Sequence, residues 1–224
     1  LILRDVELDG VRQIGRAWPV LSLAHTEGEG EEETRRTVSC PAQIESRMLE
    51  EQGPLQAVFR FDGAHLESGK RKMPFRIRLY VPGDGDIPVD PTFFFEGDPE
   101  TDRLAALGLR MEIPLAGKGY QKHIRFLTDG AVFHDNSTQL MHWRKLRNPE
   151  YLAAQARGEN VEAAPELEEA AADLPRWDRF FLLQDAPTHF VIRKKTAADR
   201  CWVTGVHGHR APGVMEIQDP ERSI

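Results

Sequence analysis

A short loop near the carboxyl end of the chain holds the residues best suited to chemistry. It reads His207-Gly208-His209-Arg210-Ala211-Pro212-Gly213 and follows a predicted strand. An imidazole can accept or donate a proton near neutral pH, and a guanidinium can bind a carboxylate through two hydrogen bonds. The loop therefore predicts an anion site beside a proton-transfer group. The alternative is a turn with a restricted backbone conformation, whose polar side chains are simply solvated.

Basic residues are grouped although the chain carries 29 lysines and arginines against 36 aspartates and glutamates, a net charge of −7. Such groups can hold an anionic sugar through arginine–carboxylate contacts, and tryptophan can stack on sugar rings. The candidates for substrate binding are Arg78, His134, Arg193, Lys194 and Trp202. Solvated surface charge and ordinary aromatic packing are the alternatives. The acidic total argues against a nucleic-acid partner.

The strands that must position these residues follow from the alternation of apolar and polar side chains. Alternation is clear in residues 55–61 and 75–81, and Asp129-Gly130 between two apolar segments predicts a β-hairpin. Residues 93–115 predict a buried strand at three consecutive phenylalanines, then an acidic turn, then a half-buried strand. The pattern as a whole predicts a mostly β fold, a large antiparallel two-layer β-sandwich.

Residues 148–174 interrupt the strand pattern. They are rich in alanine and glutamate, and Asn148-Pro149-Glu150 is typical of a helix start. A second helical run is predicted within 166–174, between two prolines. We interpret the segment as a short helical insertion in one β-sandwich domain over residues 1–224, a length that single β domains often reach.

Several familiar chemistries have no motif in this sequence. It contains no phosphate-binding loop, no dinucleotide fingerprint, no nucleophile elbow and no Cys/His metal spacing, so we expect no cofactor and no metal. No apolar run approaches the about 20 residues of a membrane span, and no signal peptide is visible, so we expect no membrane partner. The location stays open: extracellular or periplasmic if a signal lies upstream, cytoplasmic otherwise. Cys40 and Cys201 are either two buried thiols or one long-range disulfide.

Sequence blocks in a fixed order carry a family resemblance. Residues 94–102 (FFEGDPETD) and 107–115 (LGLRMEIPL) resemble the central β domain of the YetA-like, exo-rhamnogalacturonan-lyase-like proteins. The resemblance covers roughly residues 50–220, and its further blocks lie at 53–58, 78–80, 177–178, 183–185, 190–196, 202 and 207–213.

The resemblance implies that the chain is the central sandwich of a longer protein, truncated at both ends, with an α/α toroid expected as a carboxyl-terminal neighbour. The implied activity is β-elimination on a uronate-containing polysaccharide such as rhamnogalacturonan, with this domain as one wall of the sugar cleft. Arg210 would neutralise the uronate carboxylate, and His207 or His209 would take the C5 proton. The family commonly has a basic residue, often arginine, where His209 stands. We expect the isolated chain to be inactive.

Two other functions fit the same residues. The first is a sandwich that binds glycan or braces a neighbouring domain without catalysis, since no complete catalytic set of residues is evident. The second is a mutarotase-like enzyme that uses the histidine pair as acid and base, which fold analogy supports only weakly.

Overall fold

The computed structural model of the chain describes residues 1–27, 34–83, 85–137, 149–159, 176–196 and 202–224. The chain divides into two compact units, Leu1–Pro114 and Leu115–Ile224. Cys40 is a buried free thiol. Its possible disulfide partner Cys201 and the second predicted helical run, residues 166–174, lie outside the described ranges.

The first unit is built from two four-stranded antiparallel sheets. In one sheet the long strand β2 pairs with β1 and β3 along one edge and with β8 along the other. In the second sheet the strands pair in chain order from β4 to β7. The strands are β1 (Leu3–Leu8), β2 (Val11–Glu27), β3 (Thr34–Cys40), β4 (Ala42–Gln52), β5 (Gln56–Glu67), β6 (Lys70–Pro82), β7 (Val89–Phe93) and β8 (Arg103–Glu112).

The core of the first unit lies between these two sheets. Ile2 and Ala17 come from the sheet of β2, and they pack in one buried cluster with Phe61, Phe75 and Ile77 from the sheet of β5 and β6. Side chains of a strand alternate between its two faces, so β6 buries Phe75, Ile77 and Leu79 on one face and carries arginines on the other. This is the layering of a β-sandwich.

The second unit pairs two three-stranded antiparallel sheets in its described residues. Phe126 of one sheet packs on Phe190 and Ile192 of the other. One sheet has the order β10–β9–β14, and the other has the order β11–β12–β13. Its elements are β9 (His123–Leu127), β10 (Val132–Asn136), α1 (Pro149–Ala156), β11 (Trp177–Ala186), β12 (His189–Thr196), β13 (Val203–Gly208) and β14 (Met215–Gln218), with a 3-10 turn at Gly119–Gln121.

The predicted fold class, a mostly β antiparallel sandwich with a helix in the insertion, is confirmed. One detail is wrong: β7 ends at Phe93, and Phe94 and Phe95 are 48% and 45% exposed instead of buried. The reason is that the chain continues beside β6 as an irregular outer segment, and the Glu96 amide still donates to the Lys72 carbonyl. The interpretation of residues 1–224 as one domain stays a prediction.

Candidate functional site

The backbone of the loop from His207 to Gly213 is held by two side chains from other elements. The Asp129 carboxylate accepts hydrogen bonds from the amides of His209 (3.1 Å) and Arg210 (3.4 Å). The Gln184 side chain accepts from the Ala211 amide (3.0 Å) and donates to the His209 carbonyl (3.2 Å). Asp129 belongs to the predicted Asp-Gly turn, between β9 and β10, and Gln184 lies on β11. The loop conformation is therefore fixed by contacts within the second unit.

Gly208 is required where the loop leaves β13. A Cβ atom placed there would lie 2.6 Å from Cε1 of Phe190 and 3.1 Å from Oδ1 of Asp129. Phe190 is fully buried, so its ring has no room to move away. A glycine at this position lets the chain pass close over the core phenylalanine.

The side chains of this loop contrast with its backbone. His207, His209 and Arg210 are exposed. Among the described residues, none of these three side chains makes a hydrogen bond or an ion pair. Two imidazoles and a guanidinium are thus presented to solvent on a fixed backbone, an arrangement that can contact a ligand without first breaking internal bonds.

The outer face of the β11–β13 sheet continues this cationic surface. Phe180 and Ile192 point into the core, so their neighbours Phe181 and Arg193 point outward and lie opposite each other across β11 and β12. His207 lies opposite Val191 and shares the outward face of the sheet with Arg193. We call this surface the cationic face: Arg179, Phe181, Arg193, Lys195, Trp202 and His207.

Aromatic rings accompany the charges on the cationic face. Trp202 is 40% exposed and meets the ring of Phe181 edge-on, with the ring centroids 4.8 Å apart. The Lys195 ammonium lies 5.7 Å from the Trp202 ring centroid. Exposed Arg193 makes no hydrogen bond or ion pair with the described part of the chain. An exposed indole beside cations is chemically suited to a flat, negatively charged sugar.

Lys194 and Arg78, two of the predicted substrate-binding cations, each contact a neighbouring carboxylate. The ammonium of Lys194 contacts the Asp135 carboxylate at 2.5 Å and lies 4.3 Å from the ring centroid of Trp177. Arg78 lies on β6 in the first unit and holds Glu50 through contacts of 2.6 and 3.1 Å. The hydrogen bonds from Arg78 and Arg60 lower the pKa of Glu50 to about 2. Both cations already have partners, and their role in substrate binding stays a prediction.

His134 lies on the outer face of the other sheet of the second unit. Its Nε2 lies 2.9 Å from Nδ1 of His123, and the two rings are tilted by 33°. On the same face Arg125 contacts Gln218 (2.7 Å) and Glu216 (3.0 Å). Burial, His134 and Arg125 lower the pKa of His123. His134 therefore belongs to a histidine pair that sequence spacing did not predict.

The first unit contains a charged cluster that sequence reasoning missed: His25, Glu67, Lys72 and Asp102. The Lys72 ammonium lies 3.2 Å from Glu67 and 3.0 Å from Asp102, whose side chain is only 3% exposed. His25 Nε2 lies 2.6 Å from Glu67, and His25 Nδ1 lies 3.6 Å from Asp102. These residues are far apart in sequence and meet because β2, β5, β6 and β8 all begin or end there. Only their shared position at strand ends could have indicated the cluster.

Electrostatics in the charged cluster favour the ionised forms. Burial acts to raise the pKa of Glu67 and of Asp102, but the hydrogen bond from Lys72 and the other partners more than offset it, so both pKa values lie below their usual range. The hydrogen bond to Asp102 raises the pKa of Lys72. The ligand atoms of His25, Glu67 and Asp102 lie within 4.8 Å of one another, which suits a metal ion. The Lys72 ammonium, however, already contacts both carboxylates.

Comparisons with known proteins agree with the β-sandwich layers of the structure. The chain matches the family described as PcRGLX-like protein central beta sandwich domain over residues 1–222. It is 29% identical over 179 residues to a protein of Bacillus subtilis (strain 168) described as "Uncharacterized protein YetA". That alignment covers 76% of this chain and 21% of YetA, so the matched part spans about a fifth of that relative. Within the described residues, no helix is long and apolar enough to cross a membrane.

Proposed function

Because the chain belongs to the family of PcRGLX-like protein central β-sandwich domains, we propose that its second unit binds an acidic oligosaccharide and forms one wall of the sugar cleft of a polysaccharide lyase. The contact surface would be the loop from His207 to Gly213 together with the cationic face. The substrate class would be a uronate-containing polysaccharide of the rhamnogalacturonan type, since the recognising groups are cations and an exposed indole.

One feature of the loop carries this proposal: its backbone is held by Asp129 and Gln184, while the side chains of His207, His209 and Arg210 have no partner among the described residues. Surface cations of a sandwich commonly pair with nearby acids, as Arg78 does with Glu50. The backbone that carries the Arg210 guanidinium is already ordered, so an external carboxylate can bind without the entropic cost of ordering the loop.

The chemistry of β-elimination gives these residues distinct roles. The uronate carboxylate must be neutralised before the neighbouring C5 proton becomes acidic enough to leave, and Arg210 would supply that charge. A base must then take the C5 proton, and His207 and His209 are the candidates because imidazole accepts protons near neutral pH. The C4–C5 double bond forms as the C4–O4 bond breaks, and the leaving oxygen takes a proton from a general acid or from water. Arg193 and Lys195 would bind carboxylates of adjoining sugars, while Trp202 would stack on a ring. We expect residues 1–224 alone to bind without turnover.

Titration calorimetry of the chain with acidic oligosaccharides tests binding. Arg210→Gln and Arg193→Gln should each weaken binding about tenfold or more, because a hydrogen-bonded contact to a charged group is worth about 1.5–3 kcal/mol. Arg110→Gln is the matched control, since it removes an exposed arginine from β8 that has no ion pair in the described residues. Neutral oligosaccharides of equal length should bind more weakly. Equal affinity for neutral and acidic sugars, or equal losses in all three variants, would contradict the proposal.

Turnover is tested in a longer polypeptide that carries this domain, by following the absorbance of unsaturated uronate products. Replacing the base, in His207→Gln or in His209→Gln, should lower kcat by about 10²–10⁴-fold. The other variant should change KM more than kcat. Full activity in both variants and in Arg210→Gln would remove the loop from the mechanism.

A bracing role without catalysis is the second candidate, and one observation favours it. The edge strand β8 exposes Leu104, Leu107 and Met111 by 50%, 39% and 49%. Apolar side chains in a row on an edge strand are typical of a surface that another domain covers. No heat with acidic oligosaccharides at millimolar concentration, combined with unchanged turnover of the Arg210→Gln enzyme, would favour this second role.

A further inference from the structure

The histidine pair on the outer face of the β10–β9–β14 sheet places two ring nitrogens at a separation that suits either a hydrogen bond or a shared metal ion. His123 lies opposite Asn136, and His134 lies opposite Arg125, so the two histidines are diagonal neighbours on adjacent strands. Ile124 and Phe133 point into the core, so both histidines are on the outward face. Nδ1 of His123 and Nε2 of His134 lie 2.9 Å apart, and His134 is exposed.

We propose that His123 and His134 together form a binding site for a divalent late transition metal of the Ni²⁺ or Cu²⁺ type. Metal–imidazole bonds are about 2.0–2.1 Å long, so two nitrogens bound at a right angle lie about 2.9 Å apart, and at the tetrahedral angle about 3.3 Å. The observed separation of 2.9 Å equals the right-angle value. Tetragonal coordination by nitrogen and oxygen is typical of Cu²⁺ and Ni²⁺. Zn²⁺ would require the nitrogens to separate by about 0.4 Å.

A neutral imidazole changes tautomer freely, so both facing nitrogens can offer a lone pair. In the absence of metal, one ring donates its N–H to the lone pair of the other across the 2.9 Å contact. When metal binds, that proton moves to the outer nitrogen of the same ring, and the two lone pairs bind the cation. The remaining coordination positions face solvent beside the exposed His134 and would be taken by water.

The charges around the pair are arranged to admit a cation. Arg125 is a cation on the same face, and its guanidinium is bonded to Gln218 (2.7 Å) and Glu216 (3.0 Å) on the neighbouring strand, β14. The Glu216 carboxylate partly offsets its charge and also interacts electrostatically with His134. A metal on the β10 side therefore meets two imidazole rings, while the arginine is held toward β14.

The charged cluster of the first unit is the competing metal site, and it fits less well. His25, Glu67 and Asp102 supply suitable ligand atoms, but a metal there must displace the Lys72 ammonium from two carboxylates at 3.0 and 3.2 Å. No such internal cation has to leave the histidine pair. The pair also lies on the face of the second unit opposite the cationic face, since the two sheets pack through their inner sides.

Calorimetric titration of the 224-residue chain with NiCl₂ and CuCl₂ tests the proposal, with MgCl₂ and CaCl₂ as hard ions that prefer oxygen ligands. We expect one strong site for Ni²⁺ and Cu²⁺, weaker Zn²⁺ binding, and no heat with Mg²⁺ or Ca²⁺. His134→Gln and His123→Gln should each weaken Ni²⁺ binding by about a hundredfold, since a single remaining imidazole is a poor chelator. Electron paramagnetic resonance of the Cu²⁺ form should show two equatorial imidazole nitrogens.

Two matched variants separate this site from other histidines of the second unit. His189→Gln removes an exposed imidazole that contacts Asp185, and His209→Gln removes one from the His-Gly-His loop. Both should leave Ni²⁺ affinity unchanged. The proposal is overturned if the wild-type chain binds no Ni²⁺, if affinity depends on His209 instead, or if the His123/His134 double variant still binds. Should His123→Gln fail to fold, exposed His134 provides the decisive variant.

Discussion

Replacing Lys72 by methionine tests the charged cluster of the first unit. The ammonium of Lys72 lies 3.0 Å from Asp102 and 3.2 Å from Glu67, and the three side chains are 23%, 3% and 18% exposed. Methionine keeps the apolar stem of the side chain and removes only the charge. Among the described residues, the two carboxylates would then keep only His25 and the Asp98 amide, at 3.1 Å from Asp102, as partners against their mutual repulsion.

The expected loss of stability lies between two known limits. Removing one partner of a fully buried ion pair costs about 3–5 kcal/mol, whereas an exposed pair is worth about 0–1 kcal/mol. Asp102 is buried, but Lys72 and Glu67 are partly solvated, so we expect the Lys72→Met chain to lose roughly 2 kcal/mol at pH 7. Arg16→Met is the control: Arg16 holds Glu112 with two contacts of 2.6 Å, but both side chains are exposed, so little change is expected.

The stability lost in the Lys72→Met chain should become smaller as the pH falls. The pKa values of Glu67 and Asp102 are lowered in the folded chain, so their contribution is present above the pKa of the unfolded carboxyls. It disappears as the pH falls through the folded pKa values. Urea unfolding, followed by circular dichroism, should therefore show a gap between wild type and Lys72→Met at pH 7 that narrows toward pH 3. A gap equal to that of Arg16→Met, or one independent of pH, would refute the electrostatic argument.

Two further substitutions test the loop and the core. Gly208→Ala should destabilise the second unit by about 1–3 kcal/mol in thermal unfolding and weaken acidic-sugar binding, because the new methyl group would overlap the Phe190 ring at 2.6 Å. Gly130→Ala, with no atom within 4 Å, should change neither measurement, and equal effects of the two would contradict this reasoning. Ile77→Ala should cost about 2–5 kcal/mol in urea unfolding because Ile77 is fully buried between the sheets. Leu55→Ala, at an 82% exposed position, should cost little, so comparable losses would show that Ile77 is not part of the core.

Strand positions could be predicted because the relevant signal is local. The alternation in residues 75–81 lies inside β6, and the Asp129-Gly130 pair does join two antiparallel strands, with Leu127 opposite Val132. Side-chain alternation belongs to a single strand, so a short window of sequence contains it. The helix predicted after Asn148 begins at Pro149 for the same reason, since capping and propensity act over one turn.

The burial of side chains is harder to predict than the positions of strands, because burial depends on what packs against the strand. Phe94 and Phe95 form the most apolar run of their region, yet both are about half exposed. In β8, Leu107 and Met111 alternate as a half-buried strand would, but β8 is an edge strand and leaves them 39% and 49% exposed. The side chains of β8 alternate as the sequence predicts. Their exposed fraction, however, depends on the position of β8 at the edge of the sheet.

Candidate residues for the site were found by composition, but their partners were not. Composition predicts Lys194 as a sugar-binding cation, whereas in the structure it contacts Asp135, 59 positions away. The anchors of the loop, Asp129 and Gln184, are 80 and 27 positions from the amides that they hold. Such pairs depend on which strands become neighbours and in which register, and a single sequence does not contain that information.

Residue types and short spacings were enough to predict the strand-rich character of the chain, the Asp-Gly hairpin and the two imidazoles and one guanidinium on a glycine- and proline-rich loop. The folded arrangement was needed to show which cations have carboxylate partners, where the charged cluster forms and how close His123 lies to His134. Those outcomes are set by sheet register and packing, which bring together residues from distant parts of the chain.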